Sequence, residues 1–231
     1  VRDRTIRYWD LNSYGSITMT EVIEHSVNTG AAFAQKQTGN KTFYDYLLKF
    51  GFSKSTLIDL PGEVTGNLKN LADLANPVHF ATASFGQGIS VTPIQLINAI
   101  SAVANGGSLM RPIILATDEP EEVAVVITSD TAKKVMAIME SALTKAEVGK
   151  INKYRLAGKT GTSQVSGKGG YTTDVINTYV GFGPVSNPQF TILFKLDKPL
   201  VAPLAGQTVV PAFRELAQFI LNYYNIAPDG L

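Results

Sequence analysis

The stretch AGKTGTSQ, Ala157 to Gln164, places one lysine, two glycines and three hydroxyl side chains between flanks that read as β-strand. A buried strand does not use its positions this way, because glycine and lysine both weaken strand packing. An edge strand lining a cleft does. Outward from it, Tyr154 to Ser163, Val175 to Val185 and Phe190 to Leu196 predict three consecutive strands in an antiparallel meander. The last of these, FTILFKL, is apolar on both parities, as in a central strand covered on two faces. Val165 to Asp174 reads as a Gly-rich connector, either a mobile rim or a plain hairpin loop. Pro211 to Tyr224 predicts an amphipathic closing helix.

Upstream the pattern is helical. Thr18 and Glu21 have capping-box spacing for a helix running to about His25, where the cluster Ser26 to Gly30 reads as a turn. Ala31 to Gln37 is helical, and Asn40 then caps Lys41 to Phe50, with Gly51 as the stop. Asn40-Lys41-Thr42 also matches a glycosylation sequon, but the cap is the preferred reading. Thr92-Pro93 opens a helix with a stripe of Ile94, Ile97, Ile100 and Ala104, closed by Asn105-Gly106-Gly107. Thr128 or Ser129 caps another that buries Val135, Ile138, Met139 and Ala142. Asp118 to Glu122 reads as a solvated loop. Helices followed by a meander and a closing helix give an α+β fold. The helical part covers about 1–150, and the strands and last helix about 151–226, of one domain.

Composition narrows the function classes. The 231 residues are 45% hydrophobic and 17% charged, enough for a well-cored domain. A net charge of +1 argues against a nucleic-acid partner. The absence of cysteine removes disulfides, thiolate zinc sites and a cysteine nucleophile. With only His25 and His79, no metal or other cofactor is expected. No apolar run approaches a membrane span, and the first residue is Val1 rather than Met, as in a processed or excised segment. Lys150, Lys153 and Arg155 read as a solvated basic face.

In a strand, Thr160 and Thr162 offer two hydroxyls on one face, and Gly161 between them lets a ligand lie against the backbone. Lys159 adds positive charge where a carboxylate could sit, so an extended peptide could add here as a further strand. On this tetrapeptide alone, a polar edge guarded by a lysine is the simpler reading. Ser26-Val27-Asn28 alone is a turn. The pair reads differently. S-x-N after a helix and K-T-G on a later strand are two of the three signatures of serine β-lactamases and penicillin-binding proteins. FGFSKSTLIDLPGEVTGNL (Phe50 to Leu68), SFGQGISVTPIQLINAISAVANGG (Ser84 to Gly107) and AGKTGTSQ together resemble monofunctional (class B) penicillin-binding proteins, over nearly all of residues 10 to 224.

The resemblance implies a penicillin-recognising transpeptidase fold, an antiparallel sheet flanked by helices. It also implies D,D-transpeptidase activity on peptidoglycan stem peptides, β-lactams as covalent inhibitors, and a location outside the cytoplasmic membrane. Mapped by motif, Ser26 relays a proton, Asn28 binds the donor amide and Lys159 supplies positive potential. Thr160, Gly161, Thr162 and Ser163 dock the substrate, with the Thr162 N–H as half of an oxyanion hole. Alternation puts Lys159 on the face opposite the two threonines, which leaves open how its ammonium reaches the site. The family's first motif, S-x-x-K, is absent, since no serine here has lysine three positions later. That motif and the first strands of the sheet are therefore expected upstream of Val1, on an N-terminal segment that would be this chain's partner. Alone, the chain is expected to be inactive and to associate through an apolar edge at Phe190 to Leu196; a monodisperse, cooperatively unfolding monomer would count against this. A non-catalytic relative that binds peptidoglycan or a partner is the alternative. Val27, where many β-lactamases carry Asp, disfavours a β-lactamase.

Overall fold

The computed structural model describes Ile6 and residues 14–167, 170–200, 202 and 204–230. Lys168 and Gly169 of the Gly-rich connector, and most of the first thirteen positions, lie outside the described residues. The chain divides into two units, residues 1–131 and 132–231.

In the first unit, α1 (Met19–Glu24) begins with the expected box: Thr18 Oγ1 accepts from the Glu21 N–H at 3.2 Å, and Glu21 Oε2 accepts from the Thr18 N–H at 2.7 Å. α2 (Asn28–Thr38) starts three residues earlier than expected, so only His25, Ser26 and Val27 separate the two helices. Gly30 permits this. A Cβ there would overlap the Val22 side chain, so α2 approaches α1 closely. Gly39, at φ +84°, separates α2 from α3 (Asn40–Lys49). Asn40 is not the cap: its amide donates to the Leu74 carbonyl at 2.7 Å and its Oδ1 accepts from Gln35 Nε2 at 2.9 Å. α4 (Pro77–Ala83) is capped by Asn76. α5 (Pro93–Ala104) has a full capping box between Thr92 and Gln95.

α5 buries Gln95, Ala99, Ala102, Val103 and Ala104, so Ile94, Ile97 and Ile100 lie at the margin of the buried stripe rather than along it. A two-stranded ribbon follows, β1 (Ser108–Met110) paired antiparallel with β2 (Glu122–Val125). Neither strand shows in the sequence pattern: β1 is too short for a periodic signal, and Glu122 belongs to β2 rather than to the solvated loop expected there. Leu71, Phe80 and Ala83 form one small core with Phe43 and Leu47. Ala102, Leu109 and Val126 form another with Phe50.

The segment between α3 and α5 is held by polar anchors. Glu63 receives Ser55 Oγ, the Thr56 N–H at 2.6 Å and Thr56 Oγ1 at 2.7 Å. The Ser55 and Thr56 hydroxyls, with the Thr56 amide, hold the Glu63 carboxyl below its ordinary range. This grip is present at neutral pH and is lost as pH falls through the lowered pKa. Glu63→Ala is accordingly expected to speed amide hydrogen exchange at Thr56 and Leu57. Unchanged protection there would remove the anchor from the account.

The second unit carries α6 (Ser129–Ala146), β3 (Ala157–Gly167), β4 (Gly170–Gly183), β5 (Phe190–Asp197) and α7 (Ala205–Tyr223). The N–H of Thr131 donates to Thr128 Oγ1, which settles the cap of α6. That helix buries Ala132, Met136, Met139, Ala142 and Leu143, one step round from the expected face, leaving Val135 and Ile138 half-buried. The meander is as expected, antiparallel in the order β3-β4-β5. β3 and β4 run on through the Gly-rich connector, with a register shift between Gln164 and Ser166. α7 begins six residues before Pro211 and keeps that proline inside it. Pro211 lacks an N–H for the carbonyl four residues back, a cost that packing of Val209, Val210, Phe213, Ala217 and Leu221 against the sheet outweighs.

Arg155 is not a free basic group, because its guanidinium makes a two-point ion pair with Glu140 at 2.7 Å. Among the described residues β5 pairs on one side only, with β4, so it is an edge rather than the central strand its pattern suggests. Phe190, Ile192 and Phe194 turn to the α7 core, and the exposed Lys195–Asp197 pair guards the far end of the strand.

Candidate active site

Ser26 stands at the end of α1. The Val27 N–H returns to the Val22 carbonyl at 2.9 Å and the Ser26 N–H to the Ile23 carbonyl at 3.3 Å. This is the paired bonding of a Schellman helix end, and Ser26 sits in its left-handed position at φ +56°. Glycine is the residue that occupies such a position without steric cost. The serine here keeps a Cβ in a conformation that favours its absence, a local backbone cost. Val22 and Val27, the two positions whose apolar contact commonly accompanies the motif, are both buried. Asn28 follows as the first residue of α2, half-buried, with Val27 rather than Asn28 at the cap position.

Two substitutions separate backbone from side chain here. Both Ser26→Gly and Ser26→Ala remove the hydroxyl, but only glycine relieves the left-handed conformation. The glycine variant should be more stable than the alanine variant by about 1 kcal/mol in equilibrium unfolding. Equal stabilities would mean that the backbone relaxes out of that conformation.

In the second unit, register assigns the faces of β3. Thr160 lies opposite Tyr179 and Thr162 opposite Asn177, on the face that α7 covers. Lys159, Gly161 and Ser163 lie on the other face, opposite Val180, Thr178 and Ile176. The lysine nevertheless reaches the threonine side. Its Nζ donates to the Thr160 carbonyl at 3.0 Å and to Thr160 Oγ1 at 3.3 Å. Among the described residues β3 pairs only with β4, and its unpaired side gives the long side chain room to turn round the strand. Burial lowers the Lys159 pKa to about 8, since an ammonium removed from water is destabilised relative to the amine.

Gly161 has a packing reason of its own. A Cβ there would come 2.5 Å from Thr178 Oγ1, so the glycine makes room for the partner strand's own side chain. Thr162 is exposed, and its Oγ1 accepts the N–H of Ala205, the first residue of α7, at 3.3 Å. Sequence reasoning missed this helix end, because Pro211 advertised a later start. Gly158 packs tightly behind the lysine, where a Cβ would overlap the Tyr179 hydroxyl.

Ser26 and Asn28 therefore lie in the first unit and Lys159 to Ser163 in the second. Comparison with known proteins places both motifs in one family. The model of the penicillin-binding protein transpeptidase domain matches residues 1–218, and the chain belongs to that family. It is 33% identical to Stage V sporulation protein D of Bacillus subtilis, over 91% of this chain and 36% of that protein. It is 30% identical to the peptidoglycan D,D-transpeptidase FtsI of Escherichia coli K12, over 96% of this chain and 38% of that one. The chain thus spans little more than a third of these relatives. The apo transpeptidase domain of Burkholderia pseudomallei penicillin-binding protein 3 superposes with a TM-score of 0.88 at 26% identity, covering 95% of this chain and 68% of that one. Penicillin-binding protein 3 of Mycobacterium tuberculosis, solved with aztreonam and with ampicillin, gives 0.81 at 26% identity over 91% of this chain and 52% of that one. The penicillin-recognising α+β fold expected from the motifs is the one found. No helix among the described residues is long and apolar enough to cross a membrane.

Proposed function

We propose that residues 1–231 form the C-terminal part of a D,D-transpeptidase domain that cross-links peptidoglycan stem peptides outside the cytoplasmic membrane. The nucleophilic serine and its lysine come from a preceding segment of the same domain. Two facts support this: the solved Burkholderia domain extends well beyond the matched region, and no serine here is followed by lysine at the third position. That serine attacks the penultimate D-Ala carbonyl, terminal D-Ala leaves, and an amine of a neighbouring strand takes the acyl group. Ser26 relays the proton and Asn28 holds the donor amide. Lys159 draws in the substrate carboxylate, which Thr160 and Thr162 bind; Gly161 and Ser163 complete the docking edge, and the Thr162 N–H serves the oxyanion. β-Lactams acylate the same serine.

The observation that carries the reading is the Lys159 ammonium seated on Thr160, two residues from the Thr162 hydroxyl. It builds a cationic, hydroxyl-lined edge suited to a peptide carboxylate. Intact-mass measurement after exposure to benzylpenicillin tests it, on this chain alone and on the chain co-produced with its upstream segment. The expected result is no adduct on this chain and an adduct on the upstream segment when both are present. A well-folded assembly that takes no adduct would make the chain a non-catalytic peptidoglycan- or partner-binding relative.

A further inference from the structure

Behind the docking strand lies a buried polar residue that the reaction scheme leaves unused. Asn177 is wholly buried in β4, directly across the ladder from Thr162. Its Nδ2 donates to Thr208 Oγ1 at 3.0 Å, and Thr208 in turn donates to the Leu204 carbonyl at 3.2 Å. Its Oδ1 has no hydrogen-bond partner. A buried acceptor left unpaired destabilises a fold, so an apolar side chain of the same size would serve packing better. The single bond that Asn177 makes holds the first turn of α7. That turn presents the Ala205 N–H to Thr162 Oγ1 at 3.3 Å.

A threonine hydroxyl has one proton to give and lone pairs to accept with. With Ala205 occupying an acceptor site of Thr162, the oxygen is fixed in place and its proton is left for an incoming carboxylate. An N–H donated to that oxygen also polarises the hydroxyl and makes it a better donor. We propose that Asn177 is a positioning residue for carboxylate recognition: through Thr208 it seats the start of α7 so that Ala205 locks the Thr162 hydroxyl as a donor to the substrate. The inference rests on the reading of Thr162 as a carboxylate-binding residue.

The test uses the full-length protein and two acylating probes, benzylpenicillin and its methyl ester, which lacks the carboxylate. Asn177→Leu and Thr208→Val are each expected to lower the second-order acylation rate with benzylpenicillin about tenfold, through weaker initial binding and with the limiting acylation rate unchanged. Acylation by the methyl ester should not change, and Thr208→Ser should restore the wild-type ratio. Asn177→Leu should also unfold at the same or a higher denaturant concentration than wild type. Equal losses with acid and ester, or a fall in stability with the ratio intact, would reduce Asn177 to a structural residue and overturn the proposal. Thr162→Val separates the premise from the inference. If that variant leaves the acid-to-ester ratio unchanged, Thr162 does not bind the carboxylate and both readings fail. If it lowers the ratio while Asn177→Leu and Thr208→Val do not, only the positioning role fails. A wild-type protein that neither probe acylates would sink the transpeptidase reading and this inference with it.

Discussion

Replacing Lys159 by alanine should lower the acylation rate of the full-length protein by benzylpenicillin about a hundredfold to a thousandfold, the scale on which a single preorganised charge or donor contributes to transition-state stabilisation. The structural reason is the placement of the ammonium on the Thr160 carbonyl and hydroxyl, beside the exposed Thr162. Retention of more than a tenth of the wild-type rate would remove the lysine from the docking edge. Rate and stability should also respond to pH in opposite senses. Burial lowers the Lys159 pKa to about 8, whereas the unfolded chain keeps it near 10.5. Between those values the unfolded state binds more protons, so stability rises with pH from about 8 to about 10.5. Below pH 8 both states hold the proton and the burial cost is at its full size. Above it the ammonium is progressively lost, and acylation by an anionic penicillin should decline. Lys159→Met should abolish the rise in stability and be more stable at pH 7, by up to about 3 kcal/mol. Parallel stability profiles for the two proteins would contradict the buried ammonium.

Gln95→Leu is expected to be the most damaging change away from the candidate site. Gln95 is 1% exposed and satisfied at both ends of its amide. Its Oε1 accepts the Gly66 N–H at 3.1 Å and the Thr92 N–H at 3.0 Å, and its Nε2 donates to the Lys54 carbonyl at 2.6 Å. One side chain therefore closes the start of α5 and pins both ends of the Lys54 to Gly66 segment to that helix. Leucine has nearly the same volume but leaves two N–H groups and a carbonyl without partners, at about 1 to 3 kcal/mol each where they stay buried. A loss of about 3 kcal/mol or more in equilibrium unfolding is the expected outcome. Space does not rescue the site by backbone movement, since a Cβ at Gly66 would already overlap the Ser90 carbonyl. A change below 1 kcal/mol would show that water replaces the amide.

The Thr18–Glu21 and Thr92–Gln95 boxes are read correctly from residues three positions apart, because capping is a local bond. The sequence spacing also shows that residue 95 can cap. It does not show that the same amide reaches Lys54 and Gly66, 41 and 29 positions away. Pro211 misleads for the same reason: as a local signal it starts a helix, but α7 extends before it because the sheet rewards burial of Val209 and Val210. The short ribbon β1–β2 was illegible, having three and four residues with no period to detect.

By itself, the amino-acid sequence determined the α+β order and the meander, which are written in spacing and period, while S-x-N and K-T-G stood out only as a pair, through their resemblance to one family. Only the tertiary structure decided that Ser26 closes a helix in the left-handed conformation, that Lys159 turns round its strand onto Thr160, and that Gly161 yields to Thr178. It alone joined Asn177, Thr208 and Ala205 behind Thr162. Such contacts follow from the pairing register of β3 with β4 and from which face α7 covers. A one-residue slip in that register would exchange the two faces, and register is selected by burial across the whole sheet rather than by any stretch of neighbouring residues.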